Sequence, residues 1–245
     1  MRQALFFLFL IAPLLQYAQD IEVLEDQYFD LIDQAQEFAL SGSHDSAWQK
    51  TLQATSVWEQ EDPFFGYLGA FEEMGTFYIS GEMQDLLGKK DYKTAVKYFS
   101  FSLEKFPLSF SAYDPEEAEY LADINAMLGN ALKKSSNILE AKSVYQKAFT
   151  GYRHLDSIAY DYDKRWVALY VYKPLANIYT RLENYENATS LLLLSQSILE
   201  TVGKKGEAAQ AAIDLGILYA TTERHQEAID LFTKHYDNAD LSDSI

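Results

Sequence analysis

Four histidines are the first side chains to weigh for chemistry near neutral pH. His154 and His235 stand alone, with no second ligand at the short spacings that metal sites use. His44 and His225 occupy matching places in two similar segments, where the other copies carry Tyr92, Ile138 and Tyr185, so they read as residues covering a turn. Two acidic stretches come next, Asp156, Asp161 and Asp163, and Asp237, Asp240 and Asp243. A calcium loop needs oxygen ligands around a glycine turn, and neither stretch supplies the glycine. Paired carboxylates for glycoside chemistry are set by separation in space, so none can be selected from 37 acids by spacing. Nucleophile elbows, P-loops and dinucleotide fingerprints are absent, and with no cysteine there is no thiolate. The sequence therefore assigns no catalytic residue, no cofactor and no metal, and gives no positive reason to read an enzyme.

The elements that would position other chemistry are bounded by composition. In 245 residues, 48% are hydrophobic, enough for a substantial core. Lys and Arg number 20 against 37 Asp and Glu, a net charge of −17 with no local basic tract, which argues against nucleic acid and anionic membrane surfaces. The N-terminus, "MRQALFFLFLIAPLLQYAQD", has one Arg, an apolar run from Ala4 to Leu15 and a small residue at Ala18. This is the layout of a cleavable secretory signal over residues 1–18, and the run is shorter than the roughly 20 residues of a spanning helix. The expectation is an exported protein, periplasmic or secreted, with no stable membrane insertion after cleavage near Ala18. Without cysteine there is neither a disulfide nor a lipid-anchoring residue.

Beyond residue 19 one template recurs: a small anchor residue, an aromatic or Leu at +3, Ala at +12, a bulky or polar residue at +16 and a small one at +19. It fits Ala35, Phe38, Ala47, Thr51 and Ala54; Gly129, Leu132, Ala141, Tyr145 and Ala148; Ala176, Tyr179, Ala188, Leu192 and Ser195; and Gly216, Tyr219, Ala228 and Phe232, this last copy failing at His235. A further copy starts at Gly75 and Tyr78, but its Ala95, Phe99 and Ser102 come eight positions late because "GEMQDLLGKK" lengthens the turn, and it ends at Pro107. The copies span about 28–61, 68–107, 122–155, 169–202 and 209–240. Small residues at the crossing of two antiparallel helices let the backbones approach, while the +3 and +16 side chains fill the space beside it. Apolar spacing in "AKSVYQKAFTGYRHL" is helical, and no alternating strand pattern of useful length occurs. Pro174 requires either a helix start near Lys173 or a kink.

This order of residue types over helix, turn and helix resembles the tetratricopeptide repeat. The anchors are 40, 54, 47 and 40 residues apart, against a usual period of about 34, so the likeness is to a longer-period variant. The resemblance implies an all-α fold, a right-handed α–α superhelix of about five helix pairs over residues 19–245, with the first helix of each pair lining a concave face. In the family, positions −6, −3, +1, +4 and +5 from the anchor point inward. They assign Asn130, Lys133 and Lys134 in the third repeat, and Tyr170, Lys173, Asn177, Thr180 and Arg181 in the fourth, as partner-binding residues. The fifth repeat offers Gln210, Ile213 and Ile217, which leaves the family's carboxylate-capturing arrangement incomplete.

The expected function is a protein-interaction module, a scaffold or adaptor that binds a peptide or partner protein on its concave face. The basic and amide groups point to an acidic or carboxylate-bearing ligand. A second expectation is the N-terminal sensory or regulatory input region of a larger exported or membrane signalling or processing protein. A third, a SusD-like carbohydrate-uptake component, is disfavoured by the missing lipid-anchoring cysteine and the modest length. The terminal "TKHYDNADLSDSI" is too short and polar to cap a last helix pair, so self-association or a further domain is expected at that end.

Overall fold

A computed structural model describes residues 2–58, 62–106 and 109–236, and all the regular structure among them is helical. The chain divides into two compact units, Met1–Pro107 and Leu108–Ile245. The first holds α1 (Arg2–Leu40) paired with α2 (His44–Val57), then α3 (Pro63–Tyr78) paired with α5 (Tyr92–Glu104), with the short α4 (Gly81–Leu87) between them. The second pairs α6 (Pro115–Lys134) with α7 (Ile138–Ser157). Next, α8 (Lys164–Val167), a π-helical turn (Ala168–Tyr172) and α9 (Lys173–Arg181) form one composite helix that packs on α10 (Tyr185–Thr201). The last pair is α11 (Lys205–Thr221) with α12 (His225–Tyr236). The all-α repeat fold expected from the sequence is present, five pairs in chain order.

The anchor residues work by volume exchange. A Cβ added to Gly129 would lie 2.8 Å from the Tyr145 ring, and one added to Gly75 would lie 2.7 Å from Phe99. The ring of Phe232 blocks Gly216 in the same way. In each case the aromatic, at +16 from Gly129 and Gly216 and eight positions later from Gly75, sits directly on the glycine, not beside the crossing as the spacing alone suggested. Where the anchor is Ala35 or Ala176, the facing +16 residue shrinks to Thr51 or Leu192. Interiors this dense tolerate one large group per contact, so anchor and partner are chosen together.

The turns share a register too. Seven residues after the anchors stand Gly42, Ser136, Glu183 and Glu223, all left-handed with φ between 55° and 80°. The following N–H then reaches back to the carbonyl of the +3 residue: Ser43 to Phe38 at 2.8 Å, Asn137 to Leu132 at 2.9 Å, Asn184 to Tyr179 at 2.9 Å and Arg224 to Tyr219 at 2.8 Å. This closes the first helix and aims the chain into the second. His44 and His225 begin α2 and α12 directly after these turns.

The long period resides in extra helix, not only in loops. "GEMQDLLGKK", expected as a lengthened turn, folds as α4: the Ser80 hydroxyl accepts from Met83 N–H at 3.1 Å, Met83 is buried, and Gly88 ends the helix at φ 70°. First helices also start earlier than the template window, at Pro115, Lys164 and Lys205 instead of 122, 169 and 209. For α6 the reason is a capping box: Asp114 accepts from Glu117 N–H at 2.9 Å while Glu117 accepts from Asp114 N–H, worth about 1 kcal/mol. Pro174 lies in the first turn of α9, which begins at Lys173 as the first of the two expectations had it, and α9 continues the π turn before it without a gap. The proline's missing N–H breaks the α ladder, and Lys173 N–H instead bonds Ala168 O five residues back, so the helix passes the proline as a π turn.

Candidate functional site

The first helices of the second unit, α6, α8–α9 and α11, run through its packed pairs in parallel and carry the residues assigned from the sequence. At the C-terminal end of α6, Lys133 is half-buried and Lys134 exposed, and Arg181 at the end of α9 is exposed. Burial, with Lys134 and Arg181 beside it, pulls the Lys133 ammonium below its ordinary value. None of the three makes a salt bridge among the described residues. In a chain of net charge −17 this is a cluster of three cations short of anions. Asn130, half-buried, and Asn177, exposed, stand at the same register one turn or more before it. Each carries an amide that can both donate and accept.

The other assigned residues have different surroundings. Lys173 pairs with Asp214 of α11 at 3.0 Å, both about one-fifth exposed, so its charge ties α9 to the next helix. Arg165 makes a two-pronged pair with Glu207 on the same two elements. Thr180 donates to the Ala176 carbonyl at 3.0 Å, a contact within its own helix. Tyr170 is 56% exposed and stacks on Trp166, ring centres 5.4 Å apart.

Two acids of α6 that the sequence did not single out, Glu119 and Asp123, lie near Tyr152. Asp123 accepts from the Tyr152 hydroxyl, and the Tyr152 ring is 6.5 Å from Trp166. Glu119 is hydrogen-bonded to Tyr160; burial, then Glu116, Asp161 and Asp163, hold its carboxyl above the usual range. One signal was available: Asp123 stands six residues before Gly129, as Tyr170 stands six before Ala176.

The residues weighed for metals and calcium have structural partners. Asp163 caps α8 by accepting from Trp166 N–H at 2.9 Å, and Asp156 accepts from Tyr162 at 2.9 Å and pairs with Lys164. His44 meets the Tyr78 hydroxyl through Nδ1 at 3.0 Å, while His225 is exposed. The side chain of His235, and Asp237, Asp240 and Asp243, lie outside the described residues. Among the described residues no cluster of acids or histidines is arranged for a metal, and no helix is long and apolar enough to cross a membrane.

Residues 167–240, the fourth and fifth pairs, match the family model for the tetratricopeptide repeat. A search of the curated proteins finds no match to the chain. Among solved structures, the apo form of RapI is 17% identical, with 88% of this chain and 71% of that one aligned at a TM-score of 0.60. MamA from Desulfovibrio magneticus RS-1 is 18% identical, covering 86% and 94%, at 0.52. BtubC from P. vanneervenii is 17% identical, covering 91% and 93%, also at 0.52. At these identities the likeness is one of fold. Five helix pairs follow one another in chain order, and the last two coincide with the segment that matches the tetratricopeptide repeat model, so the family likeness is one of sequence over residues 167–240 and of fold over the rest.

Proposed function

We propose that the protein binds a peptide or an extended segment of a partner protein along the first-helix face of its second unit, with an acidic side chain or carboxylate seated at Lys133, Lys134 and Arg181. The observation that carries this reading is the cluster of three cations that makes no salt bridge among the described residues, in a strongly acidic chain. Such a cluster is destabilised by its own repulsion and is relieved by an anion. Asn130 and Asn177 supply donors and acceptors for the ligand backbone. Stacked helix pairs present an extended surface of this kind, and affinity is gathered over several repeats. We also propose export, on the strength of the tripartite N-terminus; N-terminal sequencing of protein recovered outside the cytoplasm should then begin at Gln19.

A synthetic peptide array probed with the intact chain tests the binding reading. Acid-rich peptides should be retained, and retention should fall about tenfold or more in a Lys133→Glu, Arg181→Glu variant whose circular dichroism is unchanged. Equal retention by both proteins would remove the site.

A further inference from the structure

We propose that the other end of the same face is a subsite for a cationic side chain, lysine or arginine, so that the ligand is read in one direction; this rests on the peptide-binding reading above. Trp166 and Tyr170 lie stacked at 5.4 Å with planes tilted by 38°, and Tyr170 is more than half exposed, an unusual placement for a large ring in a chain whose other tyrosines are largely core. On the neighbouring first helix Glu119 and Asp123 precede Gly129 by ten and six residues, as Trp166 and Tyr170 precede Ala176. Tyr152 joins the two rows, its hydroxyl on Asp123 and its ring 6.5 Å from Trp166. The two cations of α8 are engaged elsewhere, Arg165 by Glu207 and Lys164 by Asp156.

Aromatic faces flanked by carboxylates attract a cation twice, through the ring quadrupole and through charge-assisted hydrogen bonds. An anion or a purely apolar group satisfies only one half of the arrangement or neither. The acidic subsite and the basic cluster lie on the same helices ten residues apart, from Asp123 to Lys133, which is about 15 Å at 1.5 Å per residue. An extended peptide covers that distance in about four to five residues. The ligand signature is therefore a basic residue and an acidic one separated by that interval, with the order fixed by the parallel helices.

The test uses the full chain and small probes. Three tryptophans occur, and Trp166 alone belongs to the second unit, so its indole N–H signal in a nitrogen-15 spectrum is assigned by Trp166→Phe. Titration with Nα-acetyl-lysine methylamide should shift that signal saturably, whereas the uncharged Nα-acetyl-norleucine methylamide should not. A Glu119→Gln, Asp123→Asn variant keeps the hydrogen-bond acceptors for Tyr160 and Tyr152, so it should fold, and it should weaken the lysine probe about tenfold. Arg181→Glu should leave the lysine response unchanged. Equal response to norleucine, no response to either probe, or an unaltered response in the carboxamide variant would overturn the subsite. Arg181-dependent retention of acid-rich peptides would survive such a result, which separates failure here from failure of the binding reading itself.

Discussion

At the scale of single residues the most informative contact is Tyr145 on Gly129. Adding one methyl group at 129 places it 2.8 Å from the ring, so Gly129→Ala should destabilise the chain by about 1–3 kcal/mol despite alanine's better helix propensity. Combining it with Tyr145→Leu copies the Ala176 and Leu192 arrangement and should recover part of the loss. Urea unfolding of the two single variants and the double variant measures this, and strict additivity would refute the exchange of volume. A second expectation concerns Lys173. Since Asp214 holds it at 3.0 Å, Asp214→Asn should release a fourth cation to the basic face and tighten binding of acid-rich peptides by a few fold, read by fluorescence anisotropy. The anchors were legible in the sequence because small residues recur with a fixed +16 partner. Asp214 was not, because the template fixes the packed face of a helix, and this pair joins side chains on different repeats. Its spacing of 41 residues becomes meaningful only beside the 40 that separate Ala176 and Gly216.

At the scale of elements, the intra-pair turns carry a cost that their composition conceals. Glu183 and Glu223 adopt φ of 58° and 61°, where a Cβ crowds the backbone, while Gly42 occupies the equivalent place freely. Glu183→Gly and Glu223→Gly should each stabilise by about 0.5–1 kcal/mol, visible as a rise in Tm. A fall would show that the carboxylates have contacts of greater worth. Because three of the four residues at this register are not glycine, the turn geometry could not be read from residue type. The eight-position delay at "GEMQDLLGKK" by itself suggests a lengthened turn, whereas Ser80 caps the start of α4 and Gly88 ends it. The helix around Pro174 was legible as an irregularity but not as a π turn, since proline reports the missing donor and not how the neighbouring carbonyls are reassigned.

At the scale of the whole molecule the charge of −17 sets the response to pH. Burial, with Glu72 and Asp33 nearby, holds the Glu73 carboxyl above its ordinary value against the lowering hydrogen bond from Tyr28, and Glu119 is raised chiefly by burial as well. A carboxyl that binds its proton more tightly when folded contributes stability that is complete below the unfolded pKa and is lost as pH rises through the folded one. Unfolding midpoints in urea should thus be higher at about pH 5.5 than at about pH 7.5, and Glu73→Gln should narrow the difference. Asp91 and Glu207 are shifted the other way, Asp91 by Thr94 hydrogen bonds that outweigh its burial and Glu207 by the bond from Arg165. Their loss begins only at lower pH, outside this window.

The reciprocal sizing of anchor and +16 residue also governs how such arrays can be recombined. Each anchor glycine, Gly75, Gly129 and Gly216, is matched to a ring on the other helix of its own pair, so a crossover inside a pair sets an alanine under a tyrosine or leaves a glycine under a leucine. The first overfills the contact and the second leaves a void, whereas a crossover in the connection between pairs keeps every match intact. The heritable unit of this architecture is the whole helical hairpin, and chimaeras joined at Gly203 should fold where those joined at Glu183 fail.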